Sequence, residues 1–346
     1  MPNTGPERKT PSSSETGKIV HVCVAVIERR NPNNDGIEVL IAKRPDHVHQ
    51  GGLWEFPGGK VEPEEALLTA LDRELYEELG IRLHRSDPQA QNTHKTATPL
   101  IQIRHAYPDK TVLLDVWKVS RYAGEAFGKE GQTVRWVALS ELSDYPFPEA
   151  NLPIILACLL PNRYFITPAY PSLLSAEQGL RQALNQGAQL IYFRQPQLDS
   201  LSYEVWLRYL VKQHPELKRV LMRQYVDNLR VMDLSNLQSA GVHLSFRAAS
   251  VLNERPVEKS MWFAVSCHNA AELAHASKLD ADFVTLSPVL KTPTHPEQPE
   301  MGWALFSELV REARQPVFGL GGLSAEHEAH LKTCGAQGLA GIGFWQ

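Results

Sequence analysis

The stretch Gly58–Ile81, GGKVEPEEALLTALDRELYEELGI, carries two patterns at once. Leu68, Leu71, Leu75 and Leu79 recur at spacings of three and four, which predicts an amphipathic helix over Glu65 to Leu79 that stops at Gly80. Glu74, Glu77 and Glu78 stand at i, i+3 and i+4, so this helix gathers three carboxylates into one patch beside its apolar stripe. Like charges so placed repel and cost the helix stability. A hard divalent cation, Mg²⁺ or Mn²⁺, resolves the conflict, because such ions take carboxylate oxygens and keep other positions for water and phosphate. The turn Pro57-Gly58-Gly59 lets backbone approach a metal or phosphate without a Cβ in the way, which makes Gly59 a candidate ligand. The ordinary alternative is a solvated acidic face.

Around this segment the pattern is of strands. IVHVCVAVIERR from Ile19 and IEVLIAKRP are two apolar runs joined by the polar turn NPNNDG, a hairpin signal. LIQIRHAY, VLLDVWKV and TVRWVAL follow the helix, and a second helix is expected near Leu152 to Leu160. Residues 19–160 thus read as an α+β unit, a mixed sheet with flanking helices. Residues 1–18 are Pro, Ser, Thr and charges without periodicity, and read as a disordered tail.

After Pro161 the rhythm changes. YFITP, LIYFRQ, RVLMRQ, GVHLS, WFAVSCH, FVTLSPV, PVFGLGG and GLAGIG alternate with helical patterns over residues 164–346, which predicts an α/β (TIM) barrel. Two residues after Phe344 the sequence stops, so this barrel is expected to lack its last helix. A length of 346 residues accommodates these two domains.

Lys+Arg 35 against Asp+Glu 39 leaves no basic excess to hold a duplex backbone, so duplex nucleic acid is not an expected partner. No apolar run reaches the roughly 18 residues of a membrane span. Cys23, Cys158, Cys267 and Cys334 form no zinc spacing and read as thiols of a reducing cytosol, which makes the expected location cytoplasmic.

With Gly59, Glu65, Arg73, Glu74, Glu77, Glu78 and Gly80-Ile81 at fixed offsets, the segment resembles the signature of the Nudix hydrolases. Over residues 19–160 the chain is similar to the MutT type, which removes pyrophosphate from oxidised guanine nucleoside triphosphates. The resemblance implies a Mg²⁺-dependent 8-oxo-dGTP diphosphatase with Glu74, Glu77 and Glu78 on the metal. Glu65 then orients a water or an arginine, and Arg73 holds Glu77. In GKEGQ, Glu130 falls where the type adds a metal or base carboxylate. In the approach loop LIAKRPDHVHQGGLWEFPGGK, the resemblance places Arg44, Glu55 and Phe56 at the substrate, with Lys43 as the alternative to Arg44. In PEANLP, Asn151 falls on the residue that reads the oxidised purine edge. It equally suits a helix N-cap.

The second domain resembles thiamine phosphate synthase and its TenI-like relatives, on YFIT, Phe193-Arg194, GVHLS, AVSCH, SPVLKTPTH and GLGGLS. Arg194, Thr292, Thr294, Gly322 and Gly343 would then hold a phosphorylated ligand such as a thiazole phosphate, and His268 would match a TenI-like acid/base. The glycines equally suit tight turns, and His268 a buried polar position. The synthase's metal-binding aspartates are replaced by Gln224 and Ala248, and its lysines by Pro196 and His295. Three readings follow: a nucleotide-sanitising hydrolase with a ligand-binding barrel, a bifunctional thiamine-pathway enzyme, and a hydrolase whose barrel is a structural or regulatory module.

Overall fold

The computed structural model describes residues 19–34, 36–48, 50–83, 96–107, 110–224, 239–292, 297 and 299–342. The proposed tail, Thr294, His295 and Gly343 lie outside them. The chain divides into two compact units, Met1–Leu159 and Leu160–Gln346.

In the first unit the central strand β1 (Ile19–Arg30) is buried on both faces, which is why its sequence is nearly continuous in apolar residues. It pairs antiparallel with β2 (Ile37–Lys43), as the hairpin pattern predicts. β2 carries β3 (Trp54–Glu55), and β1 carries β4 (Gly58–Lys60). The helix α1 (Leu67–Leu79) follows, then β5 (Arg82–Leu83), β6 (Ala97–Ala106), β7 (Thr111–Val119), β8 (Tyr122–Ala123), β9 (Val134–Ala138) and α2 (Leu152–Leu159). β1 and β7 run parallel, whereas β6 and β7 run antiparallel. The sheet is therefore mixed, in the order β3-β2-β1-β7-β6, with β9 on β2 and β5 pairing β8 apart from it.

Alternate residues of β1 feed two cores. Cys23, Ala25 and Ile27 pack with Ala70, Leu71, Leu75 and Leu79 of α1. Val24 and Val26 pack with Ile154 and Ile155 of α2. The expected stripe needs one correction: α1 begins at Leu67, and Leu68 in its first turn is 44% exposed, while Leu67 packs against the core in its place. Gly80 ends the helix in a left-handed conformation at φ 71°, the geometry for which glycine is suited.

The second unit is a closed barrel of eight parallel strands, β10 (Arg163–Ile166), β11 (Ile191–Phe193), β12 (Leu221–Gln224), β13 (Gly241–Leu244), β14 (Trp262–Cys267), β15 (Phe283–Leu286), β16 (Val317–Gly319) and β17 (Gly338–Gly341). Its helices are α3 (Leu173–Asn185), α4 (Ser200–Gln213), α5 (Leu217–Val220), α6 (Phe246–Ala249), α7 (Ala270–Lys278), α8 (Gly302–Glu312) and α9 (Glu328–Thr333). No helix follows β17 among the described residues. Tyr164, Tyr192, Met222, Ala264, Phe283, Phe318 and Ala340 fill the barrel as one apolar cluster. Among the described residues no helix is long and apolar enough to cross a membrane. The four cysteines are free thiols, three of them buried.

Candidate active site

The turn Gly58-Gly59 lies on β1 and under α1. Gly58 has φ 146°, and a Cβ there would meet the Cys23 carbonyl oxygen at 2.1 Å, so only glycine fits. At Gly59 a Cβ would lie 2.2 Å from the carboxyl carbon of Glu74. The carboxylate occupies the space a side chain would take. The Gly59 carbonyl, a candidate ligand, accepts from the Cys23 thiol at 3.4 Å.

Arg73 organises the acidic face. Its guanidinium donates to both Glu65 oxygens at 3.0 Å, to Glu74 at 2.8 Å, to Glu77 at 3.2 Å and to the Lys60 carbonyl at 3.0 Å. Its hydrogen bond to Glu65 holds that carboxyl below the ordinary range. Arg73 thus contacts three acids, Glu65, Glu74 and Glu77.

Glu78 behaves differently. Its Oε2 accepts from the Gly58 N–H at 3.2 Å. Burial, reinforced by the fields of Glu55, Glu74 and Glu130, pushes its carboxyl up to about 8, although the Gly58 bond opposes this. Four carboxylates therefore act on one small volume beside the glycine turn. Glu74, Glu77 and Glu78 do not converge on one point, because Arg73 turns the first two toward itself. No group of three His, Cys, Asp or Glu among the described residues stands ready to hold a metal. The donor chemistry nevertheless fits a hard divalent cation: carboxylate oxygens, one of them on the buried Glu78, beside a glycine turn where a Cβ would meet the Glu74 carboxyl group.

Glu130 is exposed on the loop between β8 and β9. That loop is fixed to the end of α1: the Lys129 N–H donates to the Glu78 carbonyl at 2.9 Å, and the Lys129 ammonium to the Tyr76 carbonyl at 3.1 Å, 3.8 Å above the Tyr76 ring.

On the other face of the sheet, the segment Tyr145–Asn151 is pinned to β3 by the Trp54 N–H to the Pro146 carbonyl at 2.8 Å. Trp54 meets Tyr145 edge-on at 5.5 Å, and Phe56 stacks on Phe147 at 5.5 Å. Phe56 is only 3% exposed. Arg44 is ion-paired with Glu55, and burial raises the Glu55 carboxyl despite that partner. Lys43 is the exposed neighbour. Asn151 is not a helix N-cap. It ends the 3₁₀ turn Glu149–Asn151, whose N-terminal flank is Pro148, and that turn runs straight into α2. Its carboxamide has no hydrogen-bond partner among the described residues.

In the barrel, Arg194 is exposed at the end of β11, and its charge reaches His243 and Tyr192 within the barrel. His268 follows β14, with Nδ1 at 2.8 Å from Glu272 of α7. It is exposed and paired, so the buried-polar reading of it is set aside. Gly322 has φ 66°, and a Cβ there would meet the Lys291 carbonyl oxygen at 2.3 Å, which is the close-packing role. Thr292 is half-buried. No hydrogen bond or ion pair joins Arg194, His268 and Gly322 to one another. Gln224 is occupied: its Oε1 accepts from the Gln195 N–H at 2.9 Å. Ala248 is buried in the core.

Sequence reasoning did not single out Lys129, Tyr145, Phe147 or Glu272, which contact the candidate site residues or their segments. Only Glu272 had a visible signal, its i+4 spacing from His268 at a helix start.

The description "NUDIX domain" matches residues 24–157, and "Thiamine monophosphate synthase" matches residues 163–343. The chain is 37% identical over 138 residues to the 8-oxo-dGTP diphosphatase of Escherichia coli (strain K12), covering 40% of this chain and 95% of that protein. The chain belongs to the Nudix hydrolases through its first unit and to the thiamine monophosphate synthase family through its second. Similarity to the CTP pyrophosphohydrolase of Escherichia coli (strain K12) is nearly as high for the Nudix unit, 36% over 140 residues, 40% of this chain and 91% of that one. The chain is also 29% identical over 193 residues to the putative thiamine-phosphate synthase 2 of Aquifex aeolicus (strain VF5), 54% of this chain and 98% of that one.

Proposed function

We propose that the Nudix unit is a nucleoside triphosphate pyrophosphohydrolase that acts on 8-oxo-dGTP, releasing 8-oxo-dGMP and pyrophosphate in the cytosol. The observation that carries this reading is Asn151. Its carboxamide, with two donors and an acceptor oxygen, has no hydrogen-bond partner among the described residues and stands on a segment pinned beside Trp54 and the Arg44–Glu55 pair. A site built to pair with a base edge rejects bases that lack the matching group.

Glu74, Glu77 and Glu78 would hold Mg²⁺ or Mn²⁺, with Glu130 completing the set. Such an ion supplies charge neutralisation for the phosphates and acidifies the attacking water. The protein's own part is positional. Arg73 holds Glu65, the glycine turn receives the Glu74 carboxylate, and a carboxylate of the set takes the water's proton.

A screen of pyrophosphate release from 8-oxo-dGTP, dGTP, CTP and thiamine pyrophosphate tests the reading. 8-oxo-dGTP should be preferred, and Asn151→Ala should erode that preference by about tenfold or more while the rate on dGTP holds. Preference for CTP or for thiamine pyrophosphate would reject the reading, and so would equal slowing of every substrate in the variant.

For the barrel, we infer a binder of a small phosphorylated heterocycle that does not perform the synthase condensation. With Gln224 engaged by Gln195 and Ala248 in the core, neither position offers an acid for a pyrophosphate-bound metal. The His268–Glu272 pair favours a second reading on the same site, a thiazole phosphate tautomerase, since an imidazole oriented by a carboxylate suits proton transfer. Titration with thiazole phosphate and an assay for thiamine phosphate separate these: binding is expected, condensation is not. Failure to bind any phosphorylated thiazole would leave the barrel a structural module.

A further inference from the structure

The last carbonyls of a helix have no partner within it, and in α1 they are taken up by a distant segment. The Glu78 carbonyl receives two donors, the Lys129 N–H at 2.9 Å and the Gln132 Nε2 at 2.9 Å. The Leu79 carbonyl receives the Phe127 N–H at 3.2 Å. The other end of the Gln132 carboxamide is also used: its Oε1 accepts the Glu130 N–H at 2.9 Å. One side chain thus ties the main chain of Glu130 to the main chain of Glu78. The loop is shaped for this. Gly131 has φ 85°, and a Cβ at Gly128 would meet the Gln132 carbonyl oxygen at 1.7 Å, so the turn closes tightly enough for the carboxamide to reach both partners.

We propose that Gln132 is a positioning residue for hydrolysis, fixing the approach of the exposed Glu130 carboxylate to the acidic end of α1 through this two-ended bridge. The inference rests on the metal-site reading of Glu130. An exposed glutamate on an untethered loop would sample many positions, and each position away from the site weakens its contribution as a ligand or base. Groups that orient metal-binding side chains without touching the ion commonly change affinity or activity by about 10- to 100-fold when removed. Lys129 anchors the same loop by its ammonium on the helix end, at the Tyr76 carbonyl rather than at Glu130. The orienting part falls to Gln132.

The test uses the full chain and two readouts, steady-state pyrophosphate release and Mn²⁺ affinity measured without nucleotide. Gln132→Met, similar in size but unable to bridge, should lower kcat by about 10- to 100-fold and weaken Mn²⁺ binding by about tenfold, with little change in KM and a wild-type circular dichroism spectrum. Glu130→Gln should be impaired in the same two readouts, and the double variant no worse than Glu130→Gln alone, because Gln132 acts through Glu130. If the methionine variant does not fold, Gln132→Glu, which keeps an acceptor for Glu130 and drops the donor to Glu78, carries the same expectation. An impaired Glu130→Gln beside a wild-type Gln132→Met overturns the proposal, and so does a double variant whose defect is the product of the singles. A wild-type Glu130→Gln overturns it by removing the reading on which it rests. The Mn²⁺ readout is independent of which nucleotide is the substrate.

Discussion

Arg73 shows how much one residue type can decide. It uses its planar fork on Glu65, Glu74, Glu77 and the Lys60 carbonyl at once, a pattern an ammonium cannot reproduce. Arg73→Lys should therefore lower pyrophosphate release by about tenfold or more, a direct rate measurement, while leaving the charge count unchanged. Gly59→Ala makes a sharper case, since its Cβ would fall on the Glu74 carboxyl group. That variant should keep its fold, as judged by circular dichroism, and lose most activity; wild-type rates would show that Glu74 need not lie against the turn. At this scale the residue identities of the acidic helix were legible because charge crowding leaves a spacing signature. The direction each carboxylate takes was not, since it depends on Arg73 and on Gly58, one of them neutral backbone. Asn151 was ambiguous in sequence because the same flanking residues suit a cap and an unpaired contact. Only the continuation of the 3₁₀ turn into α2 separates them.

Among the elements, α1 was foreseen as a helix with the right stop and the wrong first turn. Apolar periodicity reports which residues could face a core, whereas burial also requires a strand beneath them. Leu75 is fully buried against β1, and Leu68 is largely solvated. Leu75→Ala should cost about 2–5 kcal/mol in urea unfolding, and Leu68→Ala within about 0.5 kcal/mol of zero. Equal costs would mean that the stripe extends through the first turn after all. The short strands β3 and β4 were not separated in sequence from the approach loop. They are two and three residues long, and their pairing is set by neighbours rather than by their own pattern.

For the whole molecule, the change from an irregular strand pattern to strand and helix alternation marked two units, and the eight barrel strands were each readable as short apolar runs. The polar chemistry inside the barrel was hidden, since GVHLS does not say what His243 will meet. It lies between Tyr164 and Ser266, with Nδ1 at 2.8 Å from the Tyr164 hydroxyl and Nε2 at 2.9 Å from the Ser266 hydroxyl. Burial, with the charge of Arg194, holds its pKa down to about 3. A group whose folded pKa is depressed from about 6.5 stabilises fully above that value, and this contribution is lost as the pH falls toward 3. Calorimetric scans from pH 7 to pH 4 should show the barrel weakening with acid, and His243→Gln should flatten that dependence; an unchanged slope would mean the imidazole is not the group responsible. The bridge from Gln132 to the end of α1 also bears on the order in which the first unit assembles. Its partners are 54 positions apart in sequence, and the loop that carries it adds exposed residues, Lys129, Glu130 and Gly131, rather than core to the unit. Docking of that loop is therefore expected to follow the rate-limiting barrier to folding. Substitutions there should hasten unfolding and leave refolding rates almost untouched, so that the hydrolytic site is the last part of the sheet and helix assembly to be completed and the first to come apart.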